Sequence, residues 1–424
     1  MLTLLLCVFV ALLIVGVPIG FAMLGSAMLV IGLDGIPVSV VAQRVATSVQ
    51  SFPLLAVPLF TLAGALMNES GISERLFNFT RAFVGHIRGG LAQTAIVGNV
   101  FLSGISGSSV ADCAATSRVF VPQLTEAGYG RGLAAAVCAA AATLGPIIPP
   151  SILMVIYAWQ ANVSLGDLFI AGLLPGVVMA GAMMLVIDWT ARKRGFPKDA
   201  AFSRTRLYQA FRHALWALAM PVLILVGFRM GVFTATEIAA VACAYSLIVG
   251  LFVYRTLTWS SLPAILLATG RETAAILVIA AGAAPFGWIL GVEQAPQQVA
   301  ALLTSITTSP WAILLILNVA LLIAGMFMET LAIMIIVVPI LIPLLTALQI
   351  DLLHFGIVLL VNLVIGQITP PVGVLMFVAS SVSRTHLGLI VKEIGPFVLA
   401  LIGALAILTY IPAISTWLPR VLNH

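Results

Sequence analysis

The sequence predicts an all-α polytopic membrane protein built from inverted repeats, with two re-entrant hairpins and two discontinuous helices. Three observations predict this fold class. The composition is too apolar for a soluble protein of this size, with 62% hydrophobic and 8% charged residues. Glycine and proline recur at one spacing in two distant stretches, and the basic residues fall into alternate connections between apolar segments.

The apolar segments have the length of membrane spans. The mean hydropathy is +1.20, and each segment reaches the ~17 to 25 residues that a spanning helix needs. The first run follows Met1 with no basic region before it, so we expect a retained helix, either one long tilted helix or two helices broken at Gly16-Val17-Pro18. The segments are 2–33, 52–68, 132–160, 168–190, 236–255, 311–345, 353–380 and 394–418.

Six glycine and proline positions recur at an offset of 221 residues (325 minus 104 for the first pair). These helix breakers lie inside apolar segments, which argues for an internal repeat. Residues 91–124 and 311–345 predict re-entrant hairpins, and 132–160 and 353–380 predict helices broken at mid-membrane. Gly104, Pro122, Gly145, Pro149, Pro150 and Pro175 recur as Gly325, Pro343, Gly366, Pro370, Pro371 and Pro396.

An odd number of crossings between the two hairpin tips makes the second repeat inverted relative to the first. Five are predicted, at 132–160, 168–190, 213–231, 236–255 and 273–291. Of the 19 basic residues, 15 then fall on one face, in segments 69–90, 125–131, 191–212, 255–272 and 384–392. By the positive-inside rule this basic face, with its loop 191–212, is cytoplasmic, so hairpin one opens inward and hairpin two outward.

Cysteine, histidine and net charge exclude other classes of site. The four cysteines lie in apolar segments and predict no disulfide framework, and the five histidines show no ligand spacing for a metal site. The formal charge of +5 is interpreted as membrane orientation and not as a nucleic-acid signal. Aromatic and charged residues mixed over 72–87 predict a helix lying in the interface beside hairpin one.

Two polar clusters inside apolar segments form the candidate site. The first combines the tip of hairpin one, with Ser106, Ser108, Ser109 and Asp112, and the first break, with Gly145, Pro149 and Ser151. The second combines the tip of hairpin two, with Gly325, Glu329 and Thr330, and the second break, with Ile368, Thr369, Pro371 and Gly373. Each cluster also has an alternative interpretation. The small residues could form ordinary helix contacts, Asp112 could cap a helix, and the Glu329 side chain could reach the membrane surface.

Helix ends at such breaks expose carbonyl groups at one end and N–H groups at the other. Carbonyl and hydroxyl oxygens suit sodium, whereas N–H groups attract an anion. We therefore expect one cation between the first tip and the first break, a second cation at the related position of the second repeat, and an anionic substrate between them. Sodium site one comprises Ser106, Ser108, Ser109, Gly145 and Pro149; sodium site two comprises Gly325, Glu329, Thr330, Ile368 and Thr369; the substrate residues are Ser106, Asp112, Ser151, Glu329, Pro371 and Gly373.

Four motifs together resemble the large membrane subunit of tripartite ATP-independent periplasmic (TRAP) transporters over almost the full chain. The resemblance implies an elevator-type secondary transporter of the bacterial inner membrane, driven by two or more sodium ions. It also implies a small organic acid as substrate, a periplasmic binding protein that delivers it, and a small partner subunit of four membrane helices. The motifs are Gly-Ile-Ser-Gly-Ser-Ser-Val-Ala-Asp (104–112), Gly-Pro-Ile-Ile-Pro-Pro-Ser (145–151), Gly-Met-Phe-Met-Glu-Thr (325–330) and Thr-Pro-Pro-Val-Gly (369–373).

The resemblance divides the chain into scaffold helices and an interfacial arm (1–90), the first transport repeat (91–190), the cytoplasmic basic loop with further scaffold helices (191–291) and the second transport repeat (311–418). Two other functions are compatible with the same sequence. A stand-alone sodium/carboxylate symporter would share the architecture and need neither partner. An intramembrane serine protease would use Gly104-Ile105-Ser106-Gly107, although a serine nucleophile needs a nearby base and no histidine lies mid-span.

Overall fold

The computed structural model describes residues 1–196, 198–199, 201–229 and 233–422. Within these ranges the chain forms helices and no strands, and seven of the helices are long and apolar enough to cross a membrane. The end of the predicted crossing 213–231 and His424 lie outside the described residues.

Five helices precede the first hairpin. The first apolar run is two helices and not one, because Pro18 has no N–H to continue α1 and instead caps the start of α2. The fifth helix packs against the first arm of hairpin one, and its Arg81 forms a bidentate ion pair with Asp199, with distances of 2.6 and 2.8 Å. The helices are α1 (Leu2–Ile14), α2 (Ile19–Leu33), α3 (Ser39–Val49), α4 (Ala56–Glu69) and α5 (Ile72–Val84), with a 3-10 turn at Phe52–Leu55.

The first repeat comprises a hairpin, a broken helix and a long helix. Helix formation stops over 145–151, where Pro146, Pro149 and Pro150 cannot donate backbone hydrogen bonds. The hairpin is α6 (Gly90–Ser106) and α7 (Ser109–Glu126), the broken helix is α8 (Arg131–Ala141) with a 3-10 turn (Ala142–Leu144) followed by α9 (Ile152–Ala161), and the long helix is α10 (Leu165–Arg194).

Four helices connect the repeats. The third begins at Leu262, eleven residues before the predicted crossing 273–291, because Pro263 falls in its first turn, where a missing N–H is tolerated. This helix crosses α2 with backbone against backbone, since a Cβ on Gly20 would lie 2.8 Å from the Val278 carbonyl oxygen. The helices are α11 (Arg204–Arg229), α12 (Ala235–Ile248) with a π segment (Val249–Val253), α13 (Leu262–Val292) and α14 (Ala295–Ile306).

The second repeat has the same elements at the predicted offset. Helix α7 spans 109–126, and its counterpart α16 spans 330–347, which is 221 residues later at both ends (330 minus 109, 347 minus 126). The Pro149-Pro150 and Pro370-Pro371 peptide bonds are both cis. The helices are α15 (Pro310–Phe327), α16 (Thr330–Ala347), α17 (Leu352–Gly366), α18 (Val374–Ser383), α19 (Leu387–Tyr410) and α20 (Ala413–Leu422).

Buried polar contacts join the two arms of hairpin one and attach hairpin two to the helices beside it. In hairpin one the Asn99 amide donates to Thr116 Oγ1 across the two arms, at 2.9 Å. In the second repeat the Asn362 amide donates to the Asn318 carbonyl at 2.8 Å, and the Asn318 amide donates to Thr409 Oγ1 at 2.9 Å. These bonds join α15 to both α17 and α19, so hairpin two is fixed to the broken helix behind it.

Candidate functional site

The tip of hairpin one rests on the first helix break. Helix α6 ends at Ser106, Gly107 takes a left-handed conformation with φ +61°, and Ser108 caps α7 by accepting from the Ala111 N–H at 3.4 Å. A Cβ on Gly107 would lie 2.6 Å from the Pro150 carbonyl oxygen. Only glycine satisfies both this conformation and this close approach.

Asp112 lies beneath the first tip and is fully buried. Its carboxylate accepts from Ser103 Oγ at 3.1 Å and also from Ser106 Oγ. A Cβ on Gly145 would lie 2.8 Å from Asp112 Oδ2 and 2.9 Å from the Ser109 nitrogen. The tip, the buried carboxylate and the first break therefore form one close-packed unit.

The second tip and the second break meet in the same way. A Cβ on Gly366 would lie 2.6 Å from the Gly325 carbonyl carbon, so the two backbones are in direct contact. Glu329 is the exposed N-cap of α16, and Thr330 is its buried first residue. Gly325 with Gly366 thus repeats, in the second half of the chain, the contact of a hairpin with its break.

One side chain joins the two tips. The Gln367 amide oxygen accepts from Ser109 Oγ at 2.8 Å, and its amide nitrogen donates to Thr330 Oγ1 at 2.7 Å. Ser109 and Thr330 are equivalent under the 221-residue repeat (330 minus 109). Gln367 is buried within the second break, so the centre of the molecule is a hydrogen-bonded link between both repeats.

A cavity of about 290 Å³ opens beside this link, and we call it the central cavity. Four helices begin at its wall: α7 at Ser109, α9 at Ile152, α16 at Thr330 and α18 at Val374. Two carboxylates, Glu272 of α13 and Glu329, also line it. Among the described residues no lysine or arginine does so.

A second cavity of about 240 Å³ adjoins the first on the other side of the hairpin-one tip. The two cavities share Ser108, Ile152 and Glu272 in their walls, and the second one also contains Glu69 and Ser106. A Cβ on Gly64 would lie 3.1 Å from the Ser106 carbonyl oxygen, so α4 packs directly on the tip. Helix α13 thus contributes to the walls of both cavities, whereas α4 contributes only to the second one.

The two hairpin tips and the two helix breaks form the centre of the molecule. Residues 6–414 match the family described as Tripartite ATP-independent periplasmic transporter, DctM component. The chain is a member of this family. It is 43% identical over 371 residues to the C4-dicarboxylate TRAP transporter large permease protein DctM of Pseudomonas aeruginosa, which covers 88% of this chain and 87% of that protein. It is 36% identical over 410 residues to the sialic acid TRAP transporter large permease protein SiaM of Vibrio cholerae, covering 96% of each.

A solved structure, the YdaH transporter of Alcanivorax borkumensis, has a similar fold, with a TM-score of 0.63, 16% identity and 87% of each chain covered. The TRAP large subunit is therefore a multi-pass inner membrane protein and one component of a tripartite transporter. Its relatives are permeases and not enzymes, so the serine protease interpretation of Ser106 is set aside. In this TRAP subunit the Ser106 hydroxyl donates to Asp112.

The structure distributes the predicted site residues between the cavity walls and the layer behind them. Four line the central cavity: Ser108, Ser109, Glu329 and Thr330. Ser106 lines the second cavity, and Thr369 Oγ1 donates to the Ile365 carbonyl at 2.7 Å. The other predicted residues line neither cavity. Pro371 is exposed, and the remaining ones are buried: Asp112, Gly145, Pro149, Ser151, Gly325, Ile368 and Gly373.

Two polar side chains of the central cavity, Gln367 and Glu272, are not among the predicted site residues. Gln367 lies in the motif of the second break, but its two bonds join residues 258 and 37 positions away in the sequence. Glu272 is the last residue of the basic segment 255–272, just before the predicted crossing 273–291. The signal that could have found it is its position inside the 31-residue apolar helix α13.

Proposed function

We propose that the TRAP large subunit carries a small organic acid together with sodium ions across the inner membrane. A periplasmic binding protein delivers the acid, and a small four-helix membrane subunit completes the carrier. The observation that carries this proposal is the central cavity, where both hairpin tips meet both helix breaks. In membrane transporters such paired interruptions form the binding site.

The anion is held mainly by helix N-termini. Four helices of 10 to 18 residues start at the cavity wall. Each N-terminus carries about half a positive charge and unsatisfied N–H groups, which together bind carboxylates. A carboxylic acid can thus be recognised without a lysine or arginine in the wall.

Cations are needed because the same wall contains Glu272 and Glu329. An anionic substrate beside two carboxylates is repelled unless positive ions bind with it. Sodium takes the hydroxyl and carbonyl oxygens of the broken helices. The first site uses Ser106, Ser108, Ser109, Gly145 and Pro149; the second uses Gly325, Glu329, Thr330, Ile368 and Thr369.

The size of the cavity favours a small acid. About 290 Å³ is at the low end of the ~300 to 1,000 Å³ of ligand pockets. A C4-dicarboxylate is the first substrate to test, because the Pseudomonas relative is named for that class. Ser106, Asp112, Ser151, Glu329, Pro371 and Gly373 are the proposed substrate residues, with Asp112 acting from behind Ser106.

Transport follows an elevator motion, in which 91–190 and 311–418 move against 1–68 and 211–291. The cavity wall supports this division, since Glu272 comes from the second group and both tips from the first. A thiol cross-link between α4 and α7, through Ala65→Cys and Ala111→Cys, should stop uptake. A cross-link within hairpin one, through Asn99→Cys and Thr116→Cys, should permit uptake; equal activity of both cross-linked proteins would contradict the motion.

Reconstitution in proteoliposomes tests the function. With an inward sodium gradient, binding protein and small subunit all present, labelled C4-dicarboxylate should accumulate, and replacing sodium by choline should abolish accumulation. Omitting either partner should also abolish it. Uptake by this chain alone would instead support the stand-alone symporter, and uptake that persists in choline would refute sodium coupling.

A further inference from the structure

A groove that shares no lining residue with the central cavity runs along the outer surface between α10 and α19. It has a volume of about 590 Å³ and is lined almost entirely by apolar residues. Its floor includes Gly181 and Gly403, and a Cβ at either position would meet nothing within 4 Å. The missing side chains therefore serve no close helix contact and leave the groove open to the bilayer.

The groove has the length of one membrane leaflet. It extends from Val178 to Trp189 on α10 and from Pro396 to Ile407 on α19. Eleven steps of 1.5 Å give about 16 Å along each helix, which is half of the ~30 Å hydrocarbon core. A spanning helix of a partner protein would need the full thickness, whereas one acyl chain needs only this half.

A basic pocket closes the end of the groove at the basic face. It has a volume of about 220 Å³, shares Trp189 and Pro396 with the groove, and contains Lys193, Arg194 and Lys392. Arg194 is neutralised by a bidentate pair with Glu393, at 3.0 and 2.7 Å. Lys193 and Lys392 are exposed, and neither forms an ion pair with a described acidic residue.

We propose that this site binds an anionic phospholipid. The two unpaired lysines hold the phosphodiester headgroup, the groove holds one acyl chain, and Trp189 lies at the boundary between them. Lys193 Nζ lies 5.2 Å from the Trp189 ring centroid, so the charged group and the aromatic ring lie at the same depth in the membrane interface. Helix α10 belongs to the first repeat and α19 to the second, so the bound lipid bridges both halves of the chain.

Quenching of Trp189 fluorescence by lipids with brominated chains tests the site. The full chain in neutral detergent is titrated with brominated phosphatidylglycerol or brominated phosphatidylcholine, and Trp189→Phe identifies the signal of Trp189. We expect phosphatidylglycerol to act at about 30-fold lower concentration, which corresponds to about 2 kcal/mol at about 1 kcal/mol for each lysine. Lys193→Gln with Lys392→Gln should remove this preference but keep quenching by phosphatidylcholine, which shows that the groove is intact.

Two further variants separate the groove from general surface charge. Gly181→Leu with Gly403→Leu fills the groove and should reduce quenching by both lipids. Arg204→Gln with Arg206→Gln removes the same charge elsewhere on the basic face and should keep the preference. Equal quenching by both lipids in the wild type, or a preference that survives in the lysine variant, would overturn the proposal; so would Trp189 shielded from both lipids in the complex with the small subunit.

Discussion

Replacement of Gln367 by leucine tests whether the two hairpin tips are coupled. The substitution keeps the side chain volume roughly constant and removes the 2.8 Å bond from Ser109 and the 2.7 Å bond to Thr330. Both hydroxyls belong to buried residues, so each loses a partner that water does not easily replace. We expect a lower free energy of unfolding and weaker sodium-coupled uptake.

The magnitude follows from the two bonds. A hydrogen bond between membrane helices contributes about 0.6 kcal/mol on average and at most about 1.7. Two bonds therefore give about 1 to 3 kcal/mol, and a buried hydroxyl without a partner adds to this. Thr330→Val removes only the bond from the Gln367 amide nitrogen, so its effect should be about half as large.

A double-mutant cycle measures the coupling. Gln367→Leu is combined with Ser109→Ala and separately with Thr330→Val, and the free energy of unfolding is obtained from denaturant titrations in detergent. Each pair should show an interaction energy of about 0.6 to 1.7 kcal/mol, because the second change removes a hydroxyl that has already lost its partner. Additivity within ~0.3 to 0.5 kcal/mol for both pairs would refute the link.

Three further predictions concern the site and its packing. The first concerns three single variants at the proposed sodium sites: Ser108→Ala, Thr369→Ala and Glu329→Ala. Each should impair sodium-coupled uptake with little change in thermal stability. Wild-type sodium dependence in all three would contradict the assignment of the sodium sites. Gly366→Ala places a methyl group 2.6 Å from Gly325 and should destabilise the fold by about 1 to 3 kcal/mol, whereas Gly287→Ala, with nothing within 4 Å, should not; equal melting temperatures would contradict the close packing. Glu272→Gln removes a negative charge from the cavity and should weaken the sodium dependence of uptake, while the exposed control Glu126→Gln leaves it unchanged; identical sodium titrations would exclude a role for Glu272.

The helix pattern was predictable because glycine and proline act locally. The double prolines at 149–150 and 370–371 coincide with the two helix breaks, as the sequence predicts. The single prolines at the other repeated positions do not break their helices: Pro122, Pro175, Pro343 and Pro396 lie inside α7, α10, α16 and α19. The apolar run 2–33 does not by itself distinguish one helix from two, because the proline at its centre, Pro18, can either kink a helix or end it. The structure ends α1 before Pro18.

The contacts of the site were less predictable, because they depend on distance in space. Gln367 is an ordinary amide in its motif, and only the folded chain places it between Ser109 and Thr330. Asp112 was expected beside the substrate, but its bonds to Ser103 and Ser106 hold it behind the first tip. A single sequence therefore indicates which polar side chains lie near the hairpin tips and helix breaks, but not which of them line the central cavity.

The amide between Ser109 and Thr330 makes the two copies of the centre chemically unlike. Its two ends differ, so it accepts a hydrogen bond from the Ser109 hydroxyl and donates one to the Thr330 hydroxyl. Ser109 thereby keeps lone pairs turned away from the bond, and Thr330 keeps a proton that it can offer elsewhere. A duplicated backbone thus presents a free hydrogen-bond acceptor on one side and a free hydrogen-bond donor on the other, which is a polarity that two identical halves could not produce.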